Sequence, residues 1–179
     1  KEVTRQVVYS MLRGGAGICF LCRQHDFRLH LVDVGVDHDF GDEPGLMHRK
    51  LRHGTRSYLR EAAMTEEEAT KALEIGERCV DEALERGCRL LSFGEMGITN
   101  TSSSALWMYY LTDLPLEACV GRGSGLDDEG MQRKLAVLRT AVECYPGTGE
   151  AWGVLCYFGG YELVATVGAM LRAAERRTP

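Results

Sequence analysis

The chain has 179 residues, of which 45% are hydrophobic, 26% are charged and 8% are aromatic, and this composition excludes a disordered tail, a collagen-like fibre and a coiled-coil rod. Its 21 basic and 26 acidic residues give a net charge of -5 at pH 7, so no overall positive field attracts nucleic acid or anionic lipid. The length is typical of one domain, and we predict a single α/β core domain over residues 1–179.

Targeting signals and cysteine usage predict a cytoplasmic protein with no membrane partner. No apolar run approaches the roughly 20 residues that span a bilayer, and no signal peptide opens the chain. The seven cysteines are scattered and odd in number, which is typical of core thiols in a reducing compartment. The chain begins at Lys1 instead of Met and ends in Arg-Arg-Thr-Pro, so we expect a piece of a longer protein.

The first 60 residues are predicted to form a helix, a strand and a long loop. Apolar residues recur at helical spacing over 3–24, and the compact apolar segment 28–34 predicts a strand. The glycine-rich run at 14–17 is costly inside a helix, about 1 kcal/mol for each glycine relative to alanine, and close packing or a nearby ligand would explain it. Residues 36–60 have no period and predict a surface loop.

The middle of the chain is predicted to alternate between helices and short strands. Thr65 and Glu68 have the spacing of a capping box, and the apolar stripe that follows predicts a helix to Leu84. A buried strand is predicted at 88–93, and the apolar segment 103–111 predicts a buried helix.

The last third repeats this rhythm with a strand predicted at 117–121 and a helix at 127–144. Two more helices are predicted at 150–157 and 161–176. Strands joined to helices by short turns predict an α/β fold, here a Rossmann-like parallel sheet flanked by helices in three layers, α/β/α.

The turn at residues 94–104, here called the hydroxyl turn, is the first candidate site. In open parallel α/β sheets ligands bind beyond the carboxyl ends of strands, and this turn follows a predicted strand. It contains two glycines, an asparagine and four consecutive hydroxyl residues at 101–104. Free amides at a helix N-terminus and neighbouring hydroxyls bind anions such as phosphate. Plain helix capping, which needs only one hydroxyl, is the alternative.

The loop at residues 121–128, here called the glycine loop, is the second candidate. Its pattern G-x-G-x-G matches neither the dinucleotide fingerprint nor the P-loop, but it permits close backbone approach. Arg122 in this loop and Lys134 in the next helix are cations within reach of phosphate oxygens. For Lys134, a solvated surface lysine is an equal alternative. The glycines are Gly121, Gly123 and Gly125.

Glu95 follows the predicted strand directly, where its solvation is expected to be low. A carboxylate there is able to position a ring or to act as a base worth about 10²–10⁴-fold in rate. A structural glutamate that bonds neighbouring amides is equally compatible with the spacing. No metal site is predicted, because Cys19 and Cys22 lack a second pair and the histidines form no compact ligand set.

These segments together resemble one family, the nicotinate-nucleotide:dimethylbenzimidazole phosphoribosyltransferases of cobalamin lower-ligand synthesis. The resemblance runs in the same order across almost the whole chain. It implies transfer of 5-phosphoribosyl from nicotinate mononucleotide to dimethylbenzimidazole, giving α-ribazole 5'-phosphate and nicotinate, by a homodimer without metal or redox cofactor. The residues that carry the resemblance are 14–16, 32–35, 61–65, 94–101, 121–130, 133–134 and 159–162.

The family pattern assigns roles to individual residues. It implies that Glu95 lies near the reacting bases and that Met96 lines the ring pocket. Two departures are mild: Thr99 stands where a small residue is usual, and Ser102 where threonine is common. Arg122 and Gly121 are added from the glycine loop itself. The residues expected to bind phosphate and ribose are Gly97, Ile98, Asn100, Thr101, Ser102, Gly121, Arg122, Gly123 and Lys134.

The resemblance also implies that the chain is the truncated large domain of a longer enzyme. Both ends of the family sequence are expected to be absent, and with them most of a small helical domain and the glutamate proposed as general base. Turnover by the isolated chain is therefore left open. Two other hypotheses stay open as well, a nucleotide- or phosphate-binding α/β module without catalysis and a structural fragment with incomplete sites.

Overall fold

The computed structural model describes residues 2–179, which form eight helices and a two-stranded parallel sheet. The predicted α/β class is therefore confirmed in its coarse form. Backbone contacts divide the chain into two units, one ending at Gly54 and one spanning Thr55–Pro179, and the single-domain organisation stays a prediction. None of the helices within residues 2–179 combines the length and the hydrophobicity of a membrane span. The elements are α1 Glu2–Leu12, α2 Gly17–Gln24, β1 Leu31–Asp33, β2 Leu46–His48, α3 Glu66–Glu85, α4 Asn100–Leu111, α5 Leu116–Cys119, α6 Asp128–Cys144, α7 Ala151–Phe158 and α8 Tyr161–Glu175.

The first unit departs from the predicted single helix over 3–24. The helix ends at Leu12 and a second one begins at Gly17, so the glycine-rich run is a break and not a helix interior. Gly14 has a φ of 74°, a left-handed conformation that favours glycine, and its amide donates to Met11 O at 2.9 Å. The break removes the cost that Gly14 and Gly15 would have carried inside a helix.

The sheet of the first unit contains one predicted and one unpredicted strand. β1 lies within the predicted strand at 28–34 and pairs in parallel with β2, which lies inside the predicted loop at 36–60. Three residues are too few to show a period of two, which is why the sequence pattern did not reveal β2. Asp33 ends β1 with a buried carboxylate that accepts from Gly35 N at 3.0 Å and pairs with Lys50 Nζ at 2.7 Å.

Two of the predicted strands are wrong. A strand needs a neighbouring strand to pair with, and the segment 88–93 has none within residues 2–179, so it stays irregular. Among those residues, its one backbone hydrogen bond to a distant part of the chain joins Leu91 N to Pro179 O at 2.8 Å. The predicted strand at 117–121 is instead the short helix α5, whose buried residues recur at a period of 3 to 4. The buried residues of α5 are Leu116 and Cys119, and Val120, which follows the helix directly, is buried as well.

Helix α3 confirms the predicted capping box. Thr65 Oγ1 accepts from Glu68 N at 3.1 Å, and the Glu68 carboxylate accepts from Thr65 N at 2.9 Å. The helix packs against α8 so closely that the two backbones are in contact. An added Cβ on Gly76 would lie closer than 3.0 Å to backbone atoms of Ala165 and Ala169, and one on Gly168 would meet the backbone of Leu73 equally closely.

An ion-pair network near the C-terminal ends of α3 and α8 also joins the two helices. Asp81 on α3 accepts from Arg172 Nη2 at 2.7 Å and Nε at 3.0 Å, and from Arg176 Nε at 2.9 Å. Hydrogen bonding from Arg172, followed by that from Arg176, holds the pKa of the Asp81 carboxyl below its usual value of 3.8. The lowered pKa means that folding favours the charged form of this carboxyl.

Replacing Asp81 by asparagine is expected to lower the Tm at pH 7, because the charged partner of both arginines is lost. A carboxyl whose folded pKa is depressed stabilises the protein above its unfolded pKa, and this contribution is lost as pH falls through the folded pKa. The Tm difference between wild type and Asp81→Asn should therefore shrink as pH falls below 3.8. Thermal unfolding followed by circular dichroism between pH 2 and 7 measures it.

The control is Glu74→Gln, which removes an exposed pair with Arg78 on the same helix and should leave the Tm almost unchanged. A Tm difference for Asp81→Asn that is equally large in acid and at neutral pH would assign the effect to packing instead of charge.

Candidate functional site

The hydroxyl turn leads into α4 without a side-chain cap. Thr99 is the N-cap residue with a φ of 79°, and its side chain makes no capping hydrogen bond. The turn is closed by backbone bonds, from Asn100 N to Gly97 O at 3.3 Å and from Ser102 N to Thr99 O at 2.9 Å. Capping, the alternative to anion binding, is therefore not the role of these hydroxyls. A β-branched residue in the left-handed region costs of order 1–3 kcal/mol, so the turn is strained.

The outer side of the turn is open to solvent. Thr99 and Thr101 are exposed, and Ile98 is 46% exposed. Met96 and Gly97 are half-buried. The backbone of the turn is thus accessible and does not lie inside hydrophobic packing.

Asn100 brings two carboxylates together on the inner side of the turn. Its side chain is nearly buried, with the residue 9% exposed. The side-chain nitrogen Nδ2 contacts Glu95 Oε2 and donates to Glu162 Oε1 at 3.1 Å. Glu95 is exposed, so the low solvation expected from the sequence is wrong, and its carboxylate bonds the side-chain amide of Asn100. Glu162 lies in the first turn of α8 and was given no role by the sequence analysis.

The surroundings of Glu162 favour its protonated form. Burial raises the pKa of the Glu162 carboxyl above its usual value, and the negative charge of Glu95 raises it further. The hydrogen bond from Asn100 opposes this shift in part. The site thus contains two carboxylates in different environments, Glu95 exposed and Glu162 half-buried.

Lys134 connects the hydroxyl turn to the glycine loop. Its Nζ donates to Thr101 Oγ1 at 3.0 Å and to Gly121 O at 2.9 Å. Burial lowers the pKa of the Lys134 ammonium from its usual value. Gly123 has a φ of 57°, and an added Cβ there would lie 3.1 Å from Thr101 Oγ1. Lys134 is therefore not the solvated surface lysine that the sequence alone left open.

Arg122 is not brought to the hydroxyl turn. Its Nη1 donates to Leu126 O at 2.7 Å, and its Nη2 bonds the exposed Asp128 carboxylate. Both contacts lie within the glycine loop, which Asp127 closes by accepting from Gly130 N at 2.7 Å. Arg122 thus stiffens its own loop.

Ser102 is held by a residue that the sequence analysis missed. Burial raises the pKa of the Tyr58 hydroxyl, and the Ser102 side chain opposes this shift in part. The Tyr58 ring packs edge-on against Phe158 at 5.8 Å between ring centroids. Tyr58 has no local sequence signal, whereas Glu162 belongs to the Gly-Gly-Tyr-Glu motif already noted. Among the described residues, no group of three or more His, Cys, Asp or Glu side chains lies close enough to hold a metal ion.

Comparison with known proteins gives consistent matches over the whole chain. Residues 1–179 match the family model described as phosphoribosyltransferase. A nicotinate-nucleotide–dimethylbenzimidazole phosphoribosyltransferase from Parabacteroides distasonis is 56% identical over 176 residues, covering 98% of this chain and 51% of that protein. The enzyme of the same name from Dechloromonas aromatica is 45% identical over 180 residues, covering 99% of this chain and 52% of that protein.

A solved structure matches the fold as well. The crystal structure of CobT from Thermus thermophilus has a TM-score of 0.89 and 41% sequence identity, covering 99% of this chain and 54% of that one. The chain spans about half the length of the curated relatives it matches. The resemblance carried by the hydroxyl turn and the glycine loop is thereby confirmed: the chain belongs to the nicotinate-nucleotide–dimethylbenzimidazole phosphoribosyltransferase family.

Proposed function

We propose that this chain contributes the phosphoribosyl-binding part of an enzyme that converts nicotinate mononucleotide and dimethylbenzimidazole to α-ribazole 5'-phosphate and nicotinate. The observation that carries the proposal is the bridge made by Lys134, whose Nζ joins Thr101 of the hydroxyl turn to Gly121 of the glycine loop. A lysine ammonium, an exposed threonine and an uncapped helix N-terminus form the donor set that a phosphate requires.

The reaction exchanges one ring nitrogen for another at the anomeric carbon of the ribose. A nitrogen of dimethylbenzimidazole forms a bond to that carbon with inversion, and the bond to the nicotinate nitrogen breaks with its electron pair going to nicotinate. The incoming ring loses its N–H proton to a carboxylate. Positioning of both rings and stabilisation of the positive charge on the ribose carbon are the main demands on the protein.

The site residues have distinct parts in this proposal. Lys134 and Thr101 bind the phosphate, together with the backbone of Gly97 and Gly123. Glu95 lies beside the reacting rings, where a carboxylate accepts a hydrogen bond or a proton. Ile98, Asn100 and Ser102 shape the ribose site, and Met96 lines the ring pocket. Gly121 and Arg122 shape the glycine loop.

The same proposal extends to the fold, the oligomeric state and the cellular location of the whole protein. We propose that the parallel sheet of the complete protein is Rossmann-like, with helices on both faces in three layers. The protein acts as a homodimer in the cytoplasm, without a metal or redox cofactor, on nicotinate mononucleotide and a benzimidazole-type base.

Release of nicotinate tests the proposed activity. The chain is mixed with nicotinate mononucleotide and dimethylbenzimidazole, and nicotinate and α-ribazole 5'-phosphate are quantified by chromatography. Equal amounts of both products are expected. Heat of nicotinate mononucleotide binding without any product would favour a binding module, and absence of both heat and product would favour a fragment with incomplete sites.

Replacing Lys134 by methionine is expected to weaken nicotinate mononucleotide binding roughly 10- to 100-fold, the range for loss of a hydrogen bond to a charged group. The Tm should stay near that of wild type, because removal of the burial penalty of the ammonium offsets the loss of its hydrogen bonds to Thr101 and Gly121. Calorimetric titration gives the affinity and thermal unfolding gives the Tm.

Lys71→Met is the matched control, since Lys71 is an exposed lysine paired with Glu67 on α3 and far from the hydroxyl turn in sequence. It should bind as wild type does. Equal affinities for Lys134→Met and Lys71→Met would remove Lys134 from the phosphate site.

A further inference from the structure

The carboxylate of Glu162 fills a space that two glycines leave open. An added Cβ on Gly97 or on Gly160 would lie closer than 3.0 Å to Glu162 Oε1. Gly97 belongs to the hydroxyl turn, and Gly160 is the N-cap residue of α8. The carboxylate therefore lies between the backbone of the turn and the start of its own helix.

The Asn100 side chain has a fixed orientation between the two carboxylates. A primary amide carries two N–H donors on its nitrogen, and here that nitrogen faces Glu95 Oε2 and Glu162 Oε1. Asn100 is nearly buried, so rotation of the amide would leave an oxygen facing two carboxylates. The donors of Asn100 are thus matched to two acceptors from different parts of the chain.

We propose that Glu162 is a positioning residue of this site: its carboxylate holds the Asn100 amide, and Asn100 in turn holds the carboxylate of Glu95 beside the backbone of the hydroxyl turn. The inference rests on the proposed function, because that function places Glu95 beside the reacting rings. Glu162 itself touches no reacting atom. It fixes the direction of the carboxylate that does.

The contacts predict opposite titration shifts for two substitutions. Glu95→Gln removes the neighbouring negative charge and should lower the pKa of Glu162. Asn100→Leu removes the amide donors at similar volume and should raise the pKa of Glu162, since the hydrogen bond that favours its charged form is lost. Carboxyl ¹³C chemical shifts of the 179-residue chain, followed against pH, measure both values without any ligand.

Ligand binding gives a second readout of the same arrangement. Glu162→Ala should weaken nicotinate mononucleotide binding about tenfold, because Asn100, which shapes the ribose site, loses the acceptor that fixes its amide. Glu162→Gln should recover part of this loss, because its amide oxygen still accepts from Asn100 Nδ2. Gly97→Ala should weaken binding at least as much as Glu162→Ala, since the new methyl group would lie closer than 3.0 Å to both Glu162 Oε1 and Asn100 Nδ2 and would displace both side chains. If Glu162→Ala fails to fold, Gly97→Ala and the titration of Glu162 still test its positioning role.

Glu67→Gln is the control, because Glu67 has the same place in α3 that Glu162 has in α8, the second residue of the helix. Loss of a charge from the first turn is then common to both variants. Glu67→Gln should bind as wild type does.

Unshifted titration of Glu162 in either Glu95→Gln or Asn100→Leu would overturn the inference, and so would wild-type affinity in both Glu162→Ala and Gly97→Ala. Absence of nicotinate mononucleotide binding by the wild-type chain would count against the proposed function alone. The two titration shifts would then support or overturn the role of Glu162 by themselves.

Discussion

Replacing Gly76 by alanine is expected to destabilise the protein by about 3 kcal/mol, at the upper end of the usual cost of overpacking. The added methyl group would lie closer than 3.0 Å to the backbone of Ala165 and Ala169, so no side-chain rotation makes room for it. Helices α3 and α8 would have to separate along their contact. Urea unfolding at equilibrium measures the loss as a lower midpoint with an unchanged slope.

Gly17→Ala is the control for this substitution. Gly17 begins α2, and an added Cβ there meets nothing within 4 Å. Alanine should stabilise this helix by up to about 1 kcal/mol, since it loses less conformational freedom on folding. Gly168→Ala, on the facing helix, should behave as Gly76→Ala does. Similar midpoints for Gly76→Ala and Gly17→Ala would show that the two helices are not in backbone contact in solution.

Glu95→Gln is expected to slow nicotinate release by roughly 10²–10⁴-fold, the range for loss of an acid–base group. Glutamine keeps the size of the side chain and an oxygen that accepts from Asn100, but it carries no charge and takes no proton. The loss should therefore appear in kcat, while nicotinate mononucleotide affinity changes little. Initial rates measured over a range of concentrations of both substrates separate the effect on kcat from the effect on affinity.

Glu61→Gln replaces an exposed carboxylate of the same unit and should retain the wild-type rate. An unchanged kcat in Glu95→Gln would leave Glu95 with a structural role at most. The proton of the incoming ring would then go to another carboxylate, such as the general-base glutamate that the resemblance places outside this chain.

Helices were predictable because their signals are local. The capping box and apolar stripe of α3 gave nearly the observed limits, and the same holds for α6 and α8. The strands at 88–93 and 117–121 were wrong for different reasons. The first has the composition of a strand but lacks a paired neighbour in the described residues, and the second buries residues at helical spacing.

The contacts of the candidate site were likewise predicted only in part. Lys134 and Thr101 were predicted, and the structure brings them to 3.0 Å although 33 positions separate them in sequence. Arg122 was also predicted but bonds its own loop. The contact between Asn100 and Glu162 spans 62 positions, and no spacing rule reaches that far. Only the folded chain shows which glutamate faces the hydroxyl turn.

The glycine-mediated contact of α3 with α8 has a mechanical consequence for Glu162. Helices that meet through their backbones have no intervening layer of side chains whose rotamers absorb small displacements. Glu162 projects from the beginning of α8, six residues before Gly168, where that helix is pressed against Leu73. A catalytic or binding site must be held within about 0.5 Å of its working geometry, and this includes the residues that position the others. The stiffness of this helix pair thus limits how far the Glu162 carboxylate drifts under thermal motion.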